Sequence, residues 1–165
     1  YWSVLDTPFI NGYYFVRNQM KKINKFIVHS SATRENQPIS FETIKSWHVD
    51  ERGWKDIGYH YIVHLDGRIS KGRKDSAQGA HTSGHNHDSL GICYVGGVES
   101  DGKTPKDTRT CAQIETLECL LHTLKQIHTD AVVHSHNDFS EKACPSFDAT
   151  GEYKHISEHN YEENC

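Results

Sequence analysis

The amino-acid sequence predicts a single α/β domain with a mixed central β-sheet flanked by about three α-helices. Short apolar runs typical of buried strands alternate with helical patterns, and two of these runs flank an Asp66-Gly67 turn. A hairpin makes an antiparallel strand pair, whereas strand-helix-strand crossovers make parallel pairs, so the predicted sheet is mixed. The 165 residues, 35% of them hydrophobic, suffice to bury one core without disulfide bonds.

The strands are predicted from apolar runs bounded by polar or turn residues. These runs cover residues 26–29, 59–64, 68–70, 89–96 and 131–134. The second and third runs form the hairpin. The first run ends at His29 and a polar turn follows at once, so we expect this histidine to lie at the mouth of a strand, facing a cleft.

Helices are predicted from capping residues and from apolar spacing. Residues 40–50 form the first helix, with Ser40 as N-cap. Its apolar positions are Phe41, Ile44 and Trp47 or His48. A longer helix opens on a capping box formed by Thr110 and Gln113. Its apolar face comprises Ile114, Leu117, Leu121, Leu124 and Ile127. A closing helix is expected within residues 147–159.

Composition argues against two classes of protein. The formal net charge is -4 and no Lys/Arg-rich block is present, which disfavours a nucleic-acid-binding protein. No apolar run approaches the ~20 residues that a membrane-spanning helix requires. Residues 1–20 lack the pattern of an export signal, and because the chain does not begin with Met its compartment stays open. We expect a monomer.

The cysteine and histidine counts bear on metal chemistry. The five cysteines include no C-x-x-C pair, so we expect reduced thiols rather than a disulfide framework. Cys93, Cys111 and Cys119 are interpreted as small buried apolar residues. Thirteen histidines are many for a chain of this length and make a metal site worth testing.

Residues 1–20 differ from the rest of the chain in being rich in aromatic side chains. We predict that they form an N-terminal extension of the domain at 21–165 and pack against it. The alternative is an arm that binds a protein partner.

The segment from His136 to Cys144 brings an imidazole, the Lys142 ammonium and a thiol together. Thiolate and neutral imidazole are ligands that zinc prefers, and a catalytic zinc takes three protein ligands. His29 is the leading third ligand, and His134 is the rival of His136. The alternative is a capping histidine beside a buried free thiol, with Lys142 as an ordinary surface charge.

Four motifs occur in order along the chain. They are residues 27–33 (IVHSSAT), 54–63 (WKDIGYHYIV), 79–97 (from GAH to VGG) and 142–148 (KACPSFD). Together they resemble the N-acetylmuramoyl-L-alanine amidase family, which includes amidase-type phage lysozymes and peptidoglycan recognition proteins. The resemblance runs from about residue 25 to residue 148 and leaves out residues 1–20 and the extreme C-terminus.

The resemblance implies one zinc ion, with His29, His136 and Cys144 at the positions of the family's ligands. His136 is preferred to His134 because its distance from Cys144 matches the phage-type members. Tyr59 and Lys142 match the two catalytic positions that are not ligands.

Groove residues are implied in the same way. Trp54, His81 and Asn86 match positions that border the substrate. The histidines of the 81–87 loop also allow a second metal as an alternative. Strand alternation requires Tyr59 and His60 to point to opposite faces, so only one of them can face the zinc.

The expected activity is hydrolysis of the amide between N-acetylmuramic acid and the L-alanine of the peptidoglycan stem peptide, as in an endolysin or an antibacterial amidase. Peptidoglycan is then the partner. A non-catalytic peptidoglycan-binding module is one alternative, although recognition proteins without activity typically lack the ligand cysteine that this chain keeps. An amidase with an added regulatory protein partner is the other.

Overall fold

The computed structural model describes residues 21–159, so the predictions for residues 1–20 and for the last six residues lie outside it. The strands are β1 (Lys25–Ser30), β2 (Thr33–Arg34), β3 (Tyr61–Val63), β4 (Ile69–Lys71), β5 (Ser89–Tyr94), β6 (Gly97–Val98) and β7 (Val132–Ser135). The helices are α1 (Phe41–Ser46), α2 (Cys111–Ile127), α3 (Ala149–Glu152) and α4 (Lys154–Ser157). No helix in the described part is long and apolar enough to span a membrane.

The central sheet has five strands in the order β4-β3-β5-β1-β7. β1 pairs in parallel with β5 and β7, and β3 pairs in parallel with β5 and antiparallel with β4. The predicted mixed sheet and its hairpin are confirmed. β1 is the second strand from one edge and nearly all of it is buried, in keeping with its continuous apolar run.

Helices cover both faces of this sheet. One core cluster joins β1, β5 and β7 to α2 and to the C-terminal helices, and includes Phe26, Leu121 and Tyr153. A smaller cluster on the other face joins Ile44 of α1 to Ile62 of β3. The two layers leave the carboxyl ends of the parallel strands at one edge, which is where ligands bind in open α/β sheets.

The first predicted helix is shorter than expected. Ser40 is the N-cap, and its hydroxyl accepts the Thr43 backbone N–H at 3.1 Å. After Ser46 the chain continues as a π-helical turn, Trp47–Glu51. Wider turns of this kind are not encoded by apolar spacing, so the pattern predicts the helix and misses the change in its pitch.

The capping box of α2 is confirmed, because Thr110 accepts the Gln113 N–H while the Gln113 side chain accepts the Thr110 N–H. Two of the predicted apolar positions are wrong: Ile114 is 37% exposed and Ile127 is 62% exposed. The buried face instead includes Gln113, whose amide donates to the Val63 and Val95 carbonyl oxygens. These bonds rotate the helix toward a stripe through Leu117, Leu120, Leu121 and Leu124.

The four cysteines of the described residues are free. Cys93 is buried, as predicted. The prediction is wrong for Cys111 and Cys119, which are exposed because they lie on the solvent side of α2. The closing helix is two short helices, α3 and α4, which meet at the buried Tyr153.

Candidate metal centre and active site

The carboxyl ends of β1 and β7 bring two histidines together. His29 lies near the end of β1, and His136 follows the last residue of β7. The parallel register pairs Val28 with Ser135, so one further step places His136 beside His29. The rings of the two histidines are 4.3 Å apart.

Cys144 reaches the same place through a tightly folded loop. The Asn137 N–H donates to the Cys144 carbonyl oxygen at 2.9 Å, which closes the segment that follows His136. The Tyr94 hydroxyl donates to the Pro145 carbonyl oxygen at 2.6 Å, which ties the loop to β5. The thiol therefore comes close to a histidine 115 residues earlier in the chain.

The geometry of His29, His136 and Cys144 suits a tetrahedral metal ion. Each residue offers one ligand atom, and these atoms lie within 4.8 Å of one another. The Cys144 Sγ is 3.8 Å from the His29 Nδ1. Zinc bonds to sulfur and nitrogen at tetrahedral angles would put such atoms about 3.6 Å apart.

Two further observations fit a metal in this cluster. The His136 Nδ1 is buried and has no hydrogen-bond partner within residues 21–159, a costly arrangement unless a ligand completes it. Burial, with the nearby Lys142 charge adding to it, lowers the pKa values of His29 and His136, so both imidazoles are neutral as metal ligands must be.

The surroundings of the Cys144 thiol act on its pKa in opposite directions. Burial raises the pKa of Cys144, and the Ser30 backbone N–H, which donates to the sulfur at 3.2 Å, opposes that rise. A hydrogen bond to sulfur stabilises the thiolate form, which is the form that binds metal. The donor set of two imidazoles and one thiolate is chemically suited to zinc.

His134 lies outside the cluster. Its register partner on β1 is Ile27, two residues before His29. The His134 Nδ1 is 3.3 Å from the Asp138 carboxylate. The strand register therefore places His136, and not His134, beside His29, a choice that spacing along the chain leaves open.

Tyr59 packs against the metal-ligand cluster, which comprises His29, His136 and Cys144, through its contact with His29. Its ring is 5.2 Å from that of His29 and 5.3 Å from that of His48. The His48 Nδ1 accepts the Gly58 N–H at 3.0 Å and so fixes the backbone just before Tyr59. Burial, followed by the Cys93 and Cys144 sulfurs, raises the pKa of Tyr59 well above its usual value, so it is a neutral phenol.

His60 takes a different direction and serves packing. Its Nδ1 accepts the Gly91 N–H at 3.0 Å, and its Nε2 lies 3.0 Å from the Ala77 carbonyl oxygen. Lys142 is exposed, yet it lowers the pKa of His29 and of His136, so its charge acts on the cluster.

Two of the three predicted groove residues make internal hydrogen bonds. The Asn86 Oδ1 accepts the backbone N–H groups of His81 and Thr82, each at 2.9 Å. The His81 Nδ1 lies 3.0 Å from the His29 Nε2, and its Nε2 lies 3.3 Å from the Ser89 hydroxyl. His81 thus orients the His29 ring so that the His29 Nδ1 faces Cys144.

Gly91 and Trp54 contact residues of this site. Gly91 makes the His81 contact possible, because a Cβ at this position would lie 2.5 Å from the His81 ring. Trp54, the third predicted groove residue, stacks on His48 at 4.8 Å and lies under the Arg52 guanidinium.

A cleft of about 480 Å³ opens beside Tyr59. Its lining includes Arg34, Gln37, Trp47, Glu51 and Arg52. None of these was singled out from the sequence as a site residue, because they lie outside the four motifs on ordinary polar or helical positions. Of these residues, Arg34 is the one whose place in the cleft the sequence could have indicated, because it directly follows the first motif.

The fold and the site together define a class of protein: a single-domain α/β protein in which two histidines and one cysteine lie close enough to hold a metal ion. A family model described as N-acetylmuramoyl-L-alanine amidase matches residues 19–147. The chain belongs to the N-acetylmuramoyl-L-alanine amidase family, and its activity is that of the family.

Individual relatives agree with this assignment. The chain is 42% identical over 130 residues to the endolysin of Escherichia phage T7, with 79% of this chain and 85% of that protein covered. It is 31% identical over 107 residues to peptidoglycan-recognition protein SC2 of Drosophila melanogaster, covering 63% of this chain and 55% of that protein. The structure of the Ph2119 endolysin from the Thermus scotoductus MAT2119 bacteriophage Ph2119 matches with a TM-score of 0.67 and 28% identity, covering 82% and 84% of the two chains.

Proposed function

We propose that this amidase is a zinc-dependent peptidoglycan hydrolase that cleaves the amide between N-acetylmuramic acid and the first L-alanine of the stem peptide. His29, His136 and Cys144 hold one zinc ion, and the chain acts as a cell-wall lytic enzyme of the endolysin type. The orphaned Nδ1 of His136 within this cluster carries the proposal, because a bound metal ion would satisfy it.

Tyr59 and Lys142 each have a role in the reaction. When bound, zinc lowers the pKa of a water molecule and polarises the scissile carbonyl group. Tyr59, a neutral phenol beside His29, orients the attacking water through its hydroxyl. Lys142 supplies positive charge to the oxygen that becomes negative as the carbonyl is attacked, the kind of electrostatic stabilisation that is often the largest catalytic effect.

The cleft beside Tyr59 would hold the stem peptide. Arg34 and Arg52 give it positive charge, which suits the carboxylates of a peptide. Arg52, which lines the cleft, lies over the Trp54 ring, so Trp54 is near the rim and offers an aromatic face to the substrate. His81 and Asn86 act indirectly, His81 by positioning His29 and Asn86 by holding the His81 backbone.

End-group analysis of digested cell wall tests the proposed bond. Incubating purified peptidoglycan with the chain should release new alanine amino groups and no new reducing sugars, because an amidase cuts peptide from glycan whereas a muramidase cuts glycosidic bonds. A metal chelator should stop the release, and added zinc should restore it. New reducing sugars, or release that a chelator leaves unchanged, would refute the proposal.

Replacing Lys142 with alanine should lower turnover by about 10²-fold, the size of effect seen when one group that stabilises an oxyanion is removed. Zinc content and thermal stability should stay at wild-type levels, since the side chain is exposed. Rates on purified cell wall and metal analysis make the comparison, with Lys154→Ala, another exposed lysine, as the matched control. Full activity of Lys142→Ala would exclude the catalytic role.

A further inference from the structure

A second cluster of metal-ligating side chains lies between α2 and α4. Glu118 and His122 stand one turn apart on α2, and His155 comes from α4. Each offers one ligand atom, and these atoms lie within 4.8 Å of one another. None of the three belongs to the catalytic cluster, and all remain accessible to solvent.

The distances suit a small divalent ion. The Glu118 Oε1 lies 3.1 Å from the His155 Nε2 and 4.0 Å from the His122 Nε2. Tetrahedral zinc with oxygen and nitrogen ligands would place such atoms about 3.3 Å apart. A movement of about 0.7 Å at His122 would bring its Nε2 from 4.0 Å to this distance from Glu118. Two histidines and one glutamate also form a known zinc ligand set.

The tautomer of His155 provides a second, independent argument. Its Nδ1 lies 3.1 Å from the Glu152 carbonyl oxygen, and because a carbonyl only accepts, Nδ1 carries the proton. In the neutral ring the Nε2 then presents a lone pair to the Glu118 carboxylate. Two acceptors this close repel unless a cation, either a proton or a metal ion, lies between them. Metal-binding histidines characteristically donate their other N–H to a backbone carbonyl in this way.

We propose that Glu118, His122 and His155 form a second metal site, which takes a divalent transition ion of the zinc class and ties α4 to α2. Imidazole and carboxylate ligands favour Zn²⁺, Co²⁺ or Ni²⁺ over Ca²⁺ or Mg²⁺. By tying α4 to α2, the ion would anchor the C-terminal segment that follows the loop carrying Cys144. The site stands whether or not the catalytic assignment holds.

Zinc stoichiometry tests this proposal. The metal-depleted full chain, dialysed against Zn²⁺, should bind two equivalents, and Glu118→Gln or His155→Asn should bind one. Asn can still donate to the Glu152 carbonyl oxygen but lacks the distant Nε2, so His155→Asn separates ligation from local packing. His87→Asn is the control, since the exposed His87 is paired with Asp88 alone in the described part of the chain and should leave two equivalents. Peptidoglycan hydrolysis should be unchanged in all three variants.

Cobalt distinguishes the two sites. In wild type, Co²⁺ should give both a sulfur-to-metal charge-transfer band from Cys144 and a second set of visible bands. His155→Asn should lose the second set and keep the charge-transfer band, whereas Cys144→Ser should lose the charge-transfer band and keep the second set. One equivalent in wild type that Cys144→Ser abolishes and His155→Asn retains, which a proton shared by Glu118 and His155 would produce, overturns the proposal. A second equivalent that persists in both His155→Asn and Glu118→Gln also overturns it.

Discussion

Replacing His136 with alanine is expected to abolish zinc binding at the catalytic cluster and to lower cell-wall hydrolysis by on the order of 10³-fold or more. The magnitude follows because the metal supplies several kcal/mol of stabilisation to the transition state, and each 1.4 kcal/mol changes the rate about tenfold. The ring lies beside His29, and its buried Nδ1 has no partner within the described residues other than the proposed ion. Metal analysis and rates on purified peptidoglycan measure the two effects.

His134→Ala is the matched control for this substitution. His134 lies two residues earlier on the same strand, pairs with Asp138 and stands outside the cluster, so its loss should leave catalytic zinc and turnover intact. Circular dichroism should show that both variants fold, since neither residue belongs to the apolar core. Loss of zinc from His134→Ala with retention in His136→Ala would reverse the ligand assignment.

The choice between His134 and His136 could be predicted only in part from the sequence. A histidine and a cysteine eight residues apart allow a metal site without requiring one, and the preference for His136 over His134 came from the resemblance to a family. The physical reason is visible only in the register of β1 and β7, where His136 continues the pairing beside His29. Hydrogen-bond register between strands more than one hundred residues apart cannot be read from local apolar patterns.

The sheet was more accessible to prediction than the polar contacts of the site. Strand β1 and the capping box of α2 depend on neighbouring residues, and both were found from the sequence. The contact between His29 and His81 joins residues 52 apart and needs Gly91 to leave room for the ring. The sequence therefore indicated that His81 belongs to the site, but not that its nitrogens point inward.

The prediction of which α2 residues are exposed was wrong for a related reason. Ile114 was expected on the buried face of α2, yet the buried amide of Gln113 sets the rotation of the helix. Two hydrogen bonds to strand carbonyl groups compensate for burying this polar side chain. A hydrophobicity pattern places Gln113 on the surface and so misjudges its neighbours.

Replacing Tyr59 with phenylalanine is the second substitution with a large expected effect. Turnover should fall by about 10²- to 10³-fold, within the range for loss of a group that positions or relays a proton. The aromatic ring, which packs against His29 and His48, is retained, so bound zinc and the thermal unfolding midpoint should change little. Single-turnover rates and metal content, measured on the same preparation, separate catalysis from ligation.

Tyr61→Phe removes a phenol from the adjacent strand and is the control. The Tyr61 hydroxyl donates to Asp75 at 2.8 Å, on the hairpin rather than in the metal-ligand cluster, so its loss should leave the rate unchanged. If Tyr59→Phe lost zinc together with activity, the hydroxyl would support the metal site instead of acting on water. If it kept full activity and zinc, the raised pKa of Tyr59 would reflect burial alone, and Lys142 with the metal would have to account for catalysis.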